Sequence, residues 1–250
     1  MQEFFYQAKE LSRTKTAIVE KYVEGEEVTV DVYVENGVSN VLAVSRTEKI
    51  AAKDKFVIFR TVNPAPISDG VCEKISVVCQ KIADAFSIKD SPMLVQMIVA
   101  NDEVFVLEFS ARTGGGEKFK MIKQATGFDV IEAVIDLTEG KKPHLQKNDD
   151  RPKMIVNEFL YCEEGIFDHL EGFDELKEDG TIADYYLLKW KGVQFNEISS
   201  SGDRVAWITF FSDSVEELEI KHSKAVNRLR VIDSLGKDIL RHDLMAELKR

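Results

Sequence analysis

No apolar run in this 250-residue chain approaches the ~20 residues that a bilayer-spanning helix needs. The opening Met1-Gln2-Glu3 is acidic and unlike the start of a secretory leader. No membrane partner is therefore expected. Cysteine is scarce: Cys72, Cys79 and Cys162 are odd in number and lack paired spacing, which excludes a disulfide framework and points to a reducing, cytoplasmic setting. Cys72 and Cys79 lie seven apart on the helical pattern of residues 67–86, so both are expected to face a core. The histidines, His144, His169, His222 and His242, are scattered without metal-ligand spacing and receive no site. No internal repeat or low-complexity tract occurs. Positive charge is outweighed, with 33 Lys and Arg against 44 Asp and Glu and a net charge of −11. That balance repels the phosphates of nucleic acids and anionic lipids. With 44% hydrophobic residues, the chain can bury one large core or two small ones.

Against this background one stretch stands out: Val104-Phe105-Val106-Leu107-Glu108-Phe109-Ser110-Ala111-Arg112-Thr113-Gly114-Gly115-Gly116. In an extended strand side chains alternate faces, so Glu108, Ser110 and Arg112 are expected on one face and Phe105, Leu107 and Phe109 on the other. Hard oxygen ligands beside a planar cation suit Mg²⁺ and phosphate. An amphipathic edge strand with a solvated polar face accounts for the same pattern. Upstream, residues 92–99 are apolar apart from Gln96, and Asn101-Asp102 marks a turn. A three-residue loop, 101–103, would bring Gln96 directly opposite Glu108. A lone amide in so apolar a strand needs a partner. Glu108, or a metal that Glu108 holds, would supply it.

Residues 19–23 form a short, strand-like apolar segment broken by Glu24-Gly25. From Glu27 to Glu35 the alternation is strict, with Glu27, Thr29, Asp31, Tyr33 and Glu35 on one face and Val28, Val30, Val32 and Val34 on the other. That is a strand covered on one side.

Together these segments resemble the ATP-grasp superfamily of carboxylate–amine ligases. The motifs are Glu20-Lys21-Tyr22-Val23-Glu24-Gly25-Glu26-Glu27, then Gln96, then Glu108-Phe109-Ser110-Ala111-Arg112 with Gly114-Gly115-Gly116. The resemblance implies that Glu20, Lys21, Tyr22 and Val23 form the hinge over which adenine lies, with Glu27 accepting from the ribose hydroxyls. It implies that Gln96, Glu108 and Ser110 hold Mg²⁺, with Mn²⁺ as an alternative, and that Arg112 contacts transferred phosphate or substrate. A Gln at the position of Gln96 is the choice of carbamoyl-phosphate-synthetase-like members. Two features depart from the family pattern. Ser110 stands where Asn is usual, with a shorter reach and smaller dipole. A Gly-rich flap and two phosphate-binding lysines should precede the hinge, yet only nineteen residues stand before Glu20.

The expected fold is accordingly α+β. Residues 1–150 are expected to match the C-terminal part of an ATP-grasp domain, an antiparallel sheet flanked by helices, and residues 151–250 a small α+β closing lobe. The expected activity is conversion of a carboxylate to an acyl phosphate with ATP, followed by attack of an amine. The substrates would be a small-molecule carboxylate and an amine. As a truncated chain or one subunit of a split ligase, this half is expected to be inactive alone. It would pair with a separate N-terminal subunit, or cover its apolar surface near Phe4, Phe5 and Val19 by forming a homodimer. A non-catalytic nucleotide-binding or interaction module is the alternative. Residues 2–12 have helical spacing, and Asn36-Gly37 is a hairpin turn leading to a strand at 41–45. Residues 45–55 read as a polar, basic loop in which Lys49 and Lys55, with Arg60 in the next strand, are nominees for triphosphate or substrate. Helices are expected at 117–126, 129–139, 173–178 and 215–231, with strands at 154–161, 183–189 and 204–211. A charged, Pro-bounded connection spans 147–152.

Overall fold

The alternating residues 27–35 become β1 (Glu26–Glu35) in the computed structural model, which describes residues 2–52, 55–145 and 153–245. Val28, Val30, Val32 and Val34 pack against Val71, Ile75, Cys79 and Ala83, the inner stripe of α2 (Asp69–Ala85). Ser68 caps that helix by accepting from the Val71 N–H. Cys79 faces the core as expected, and burial pushes its thiol up to about 12. Cys72, in the first turn, is only half-buried. β1 is covered on both faces and not on one as expected: Thr29 and Asp31 are buried too, and Tyr33 is packed by Ile122 of α3 (Lys118–Thr126), by Phe128, and by Val130 and Ala133 of α4 (Val130–Thr138). Asp129 caps α4 by accepting from two backbone N–H groups.

Asn36 and Gly37 both take positive φ, 50° and 85°, closing a two-residue turn into β2 (Val38–Ala52). Contrary to the loop reading of residues 45–55, β2 runs on through Ala52 and pairs with β3 (Lys55–Asn63). The polar side chains there meet matching partners, Thr47 opposite Thr61 and Glu48 opposite Arg60. Pairing of this kind overrides local polarity. Adding β4 (Ser91–Ala100), β5 (Glu103–Ser110), β6 (Met154–Leu160), β8 (Asp184–Leu187) and β10 (Ala206–Ser212) gives one antiparallel sheet, in the order β5-β4-β1-β2-β3-β6-β10-β8. It crosses from the region before residue 150 to the region after it at the β3–β6 pair. The connection at 147–152 lies outside the described residues.

The later region has a core of its own. Val156, Leu160, Phe167, Ile208, Phe210 and Ala225 cluster there with Phe173 of α5 (Phe173–Glu178), and among the described buried residues only Val62 joins them from the earlier region. Helix α6 (Val215–Arg228) stops sooner than its pattern suggests. Leu229 is extended, and the β-branched Val231 and Ile232 enter β11 (Arg230–Asp233), which pairs with β7 (Gly165–Glu171). With β9 (Gln194–Phe195) these make a second, three-stranded sheet, in which β9 and β11 are too short to announce themselves in sequence. Residues 16–24 carry no regular element, so the expected strand at 19–23 does not form. The helix α1 (Gln2–Leu11) exposes Phe4, Tyr6 and Leu11. Among the described residues, no helix is long and apolar enough to cross a membrane.

Arg60 is wholly buried at the β3–β6 seam. Its Nη2 lies 2.7 Å from Glu158 Oε2 on β6, and its Nη1 donates to Glu48 Oε2 at 3.1 Å. His222 on α6 closes the group, its Nε2 lying 3.1 Å from Glu158 Oε2. The nomination of Arg60 as a phosphate contact is therefore corrected: no surface of this side chain is open to a ligand. Arg60→Met should destabilise the fold by about 3–5 kcal/mol, because Glu158 would stay buried without its cation. Urea unfolding measures the loss, and a variant within 1 kcal/mol of wild type, roughly the cost of one ordinary hydrogen bond, would show the network to be dispensable.

Candidate functional site

β4 and β5 are joined by two residues, Asn101 and Asp102, with φ of 51° and 60°, not by the expected loop of three. That turn alone would place Gln96 out of step with Glu108. A β-bulge after Gln96 adds the missing residue, and Gln96 does face Glu108 across the pair. The bulge also breaks the expected alternation along β5. Phe109 and Val104 pack on the α2 core, whereas Phe105 and Leu107 are exposed. On the other side of β4, Gln96 sits opposite Thr29, so Thr29, Gln96 and Glu108 form one polar row over three strands. Glu108 is exposed on the edge strand, and Gln96 and Ser110 are half-buried. Neither the Gln96 nor the Glu108 side chain has a hydrogen bond or ion pair among the described residues. Arg112 is exposed beyond the strand end and donates to the Thr113 carbonyl at 2.8 Å.

The hinge candidates Glu20, Lys21 and Tyr22 are exposed and Val23 is half-buried. Their path is set by Gly25. A Cβ at that position would stand 2.5 Å from the Val99 carbonyl oxygen and 2.6 Å from Ile98 Cγ2, so only glycine lets the chain lie this close to β4. Glu27 follows, half-buried and ion-paired with Lys49, on the same face as Thr29. Lys49 is thus turned toward the proposed ribose acceptor. The Lys55 side chain lies outside the described residues.

Behind Arg112 the glycine run folds over a charge pair that sequence reading did not single out. A Cβ on Gly114 would meet Lys118 Cγ at 3.0 Å and Asp31 Oδ1 at 3.3 Å. Gly116 and Glu117 both take positive φ, 64° and 66°, as the chain turns into α3. Lys118 Nζ and Asp31 Oδ2 are 3.6 Å apart, both buried, and neither atom has a hydrogen-bond partner among the described residues. Burial pushes the Asp31 carboxyl up and the Lys118 ammonium down from their ordinary values, in each case outweighing the attraction of its partner. The sequence held two hints: Asp31 alternates with Glu27 and Thr29, and Lys118 follows a glycine run at a helix start.

Residues 2–120 match the family model of the ATP-grasp domain, and this stretch carries the hinge candidates at 20–23, the polar row and the glycine loop. The chain resembles ATP-grasp proteins in sequence over that range and has their α+β fold. A 143-residue segment is 27% identical to the mitochondrial, ammonia-type carbamoyl-phosphate synthase of Aquarana catesbeiana, covering 57% of this chain and 9% of that protein. The fold matches phosphoribosylglycinamide synthetase from Anaerococcus prevotii with a TM-score of 0.76 and 18% identity, over 92% of this chain and 59% of that one. It also matches the biotin carboxylase domain of the Hydrogenobacter thermophilus 2-oxoglutarate carboxylase, in complex with MgADP and bicarbonate. There the TM-score is 0.70 and the identity 14%, over 99% of this chain and 60% of that one. The chain therefore spans about three-fifths of the length of these structures.

The buried Asp31–Lys118 pair yields a stability test. Lys118→Met and Asp31→Asn should each cost about 3–5 kcal/mol, since each strands one charge or removes its counterpart under the glycine loop. The double variant should recover most of that loss. Additive losses in a double-mutant cycle would mean that the two side chains do not interact.

Proposed function

We propose that this chain forms the nucleotide- and Mg²⁺-binding floor of an ATP-dependent carboxylate–amine ligase. The observation that carries the reading is the row Thr29–Gln96–Glu108, ending at the glycine loop within the stretch matched by the ATP-grasp model. Adenine would lie against residues 20–23, with Glu27 accepting from ribose and Lys49 beside it. Gln96, Glu108 and Ser110 would hold Mg²⁺ through hard oxygen donors, a set that fits this ion and accommodates Mn²⁺ as well. Among the described residues there is no group of three His, Cys, Asp or Glu side chains able to hold a metal. With one carboxylate, Glu108, the site would bind the ion weakly alone and well only beside phosphate oxygens. When bound, the ion supplies charge neutralisation of the phosphoryl oxygens.

The residues of this chain would act by position. Arg112 offsets charge on transferred phosphate, and the glycine loop brings backbone N–H groups close to an anion without side-chain hindrance. The carboxylate would be activated as an acyl phosphate and captured by an amine, with residues 151–250 serving as the closing lobe and 1–150 as the ATP-grasp part. A second reading, in which the chain works with a separate subunit or as a homodimer or an interaction module, is favoured by one observation. Phe4, Leu11, Ile18, Val19 and Tyr22 are all exposed within the first 22 residues, with Ile18 at 89% and Tyr22 at 86%. Apolar surface of that extent tends to be covered by a partner. The free cysteines support placement in the reducing cytoplasm.

Calorimetric titration with ATP tests the floor. Glu108→Gln should leave affinity in EDTA unchanged and remove the gain produced by Mg²⁺. Glu27→Ala should weaken binding by about 1–3 kcal/mol through loss of a charged hydrogen bond. Wild-type Mg²⁺ dependence in Glu108→Gln would remove Glu108 from the metal site.

A further inference from the structure

We propose that Arg204 is an anion-recognition residue that holds the carboxylate of the small-molecule substrate against the glycine loop. Only the identity of this anion as substrate rests on the ligase reading. Five of the described arginines are not exposed: Arg46, Arg60, Arg204, Arg230 and Arg241. Four of them meet a carboxylate: Arg46 with Glu26 and Glu48, Arg60 with Glu48 and Glu158, Arg230 with Asp238, and Arg241 with Asp243. Arg204 meets none among the described residues. In a chain of net charge −11, a half-buried guanidinium without a carboxylate is an exception that calls for an external anion.

Neutral groups fix its position. The guanidinium lies 3.6 Å over the Phe159 ring, Nε donates to Tyr161 Oη at 3.1 Å, and Nη2 donates to the Ile58 carbonyl at 3.1 Å. Tyr161 is itself held, donating to the same carbonyl at 2.8 Å. Nη1 keeps no partner among the described residues and stands 4.0 Å from where a Cβ of Gly116 would be. Gly116 is exposed, so this corner of the loop is open. The neighbouring Asp203 does not compensate the charge. Its Oδ2 accepts from the Ser199 and Ser200 N–H groups at 2.8 and 2.9 Å and from Ser199 Oγ at 3.0 Å. A guanidinium whose orientation is set before binding loses little entropy when it takes up an oxyanion. Arg112, at the start of the same loop, is exposed and also meets no carboxylate among the described residues.

The test is a saturation-transfer NMR screen of the purified chain, with and without MgADP, against the free amino acids, acetate, succinate and inorganic phosphate. At least one carboxylate is expected to bind, and its primary amide counterpart to bind about tenfold more weakly, as loss of a charge-assisted contact implies. Arg204→Met should weaken that carboxylate by about tenfold or more, with MgADP affinity unchanged, and Arg204→Lys should fall between, keeping the charge but not the fork. Should Arg204→Met fail to fold, an undiminished affinity in Arg204→Lys overturns the proposal. So does a screen in which no carboxylate binds, one in which phosphate alone binds, or wild-type affinity in a folded Arg204→Met. Arg204-dependent carboxylate binding in a chain that ignores MgADP would sink the nucleotide reading and leave Arg204 in place.

Discussion

A guanidinium with no access to water must be neutralised where it stands, and Arg60 is such a group. Its charge is met by Glu48 from its own hairpin and by Glu158 from beyond residue 150, while His222 approaches from α6. These contacts select one register for β3 against β6, since a slip by one residue would turn Arg60 or Glu158 to the wrong face. The eight-stranded sheet is continuous only because that register holds. The strands that carry the Thr29 row and the strand that carries Phe159 belong to that one sheet.

The two faces of the sheet do different work. One is apolar near β1 and covered by α2, and carries the Arg60 network where α6 approaches. The other is buried by α3 and α4 around Tyr33, while the row of Thr29, Gln96 and Glu108 runs out to an exposed edge strand. The glycine loop joins these regimes. It leaves the edge strand at Arg112, closes over Asp31 and Lys118, and enters α3, so that one short segment links the polar row to the packed helices. The buried pair under it is poorly solvated and imperfectly bonded, which makes it a positional device more than a source of stability.

Much of the site was legible because its residues sit in strands, where period two assigns a face directly. Glu27, Thr29 and Gln96 could be placed that way, and the opposition of Gln96 and Glu108 was anticipated, though through a loop of the wrong length. The turn took two residues because Asn-Asp accommodates positive φ at both positions, and a bulge restored the count. Bulges leave little trace in sequence, which is why Phe105 and Leu107 were misassigned. The long β2 was hidden for a different reason: its polar side chains are satisfied across the sheet by residues distant in the chain. Arg204 gave no signal, since a single arginine after a serine-rich turn reads as surface.

Local rules of alternation, capping and turn chemistry were enough for the amino-acid sequence to determine the α+β class, the helices α2, α3 and α4, the Asn36-Gly37 hairpin and the polar face of β1. These features depend on neighbours within a few residues. What only the tertiary structure decided were the joining of the two regions in one sheet, the pairing of Arg60 with Glu158, the burial of Asp31 with Lys118, and the isolation of Arg204 beside Gly116. Each depends on which charges meet across long stretches of chain, and compensation of a buried charge is a property of the assembled neighbourhood that no local pattern encodes.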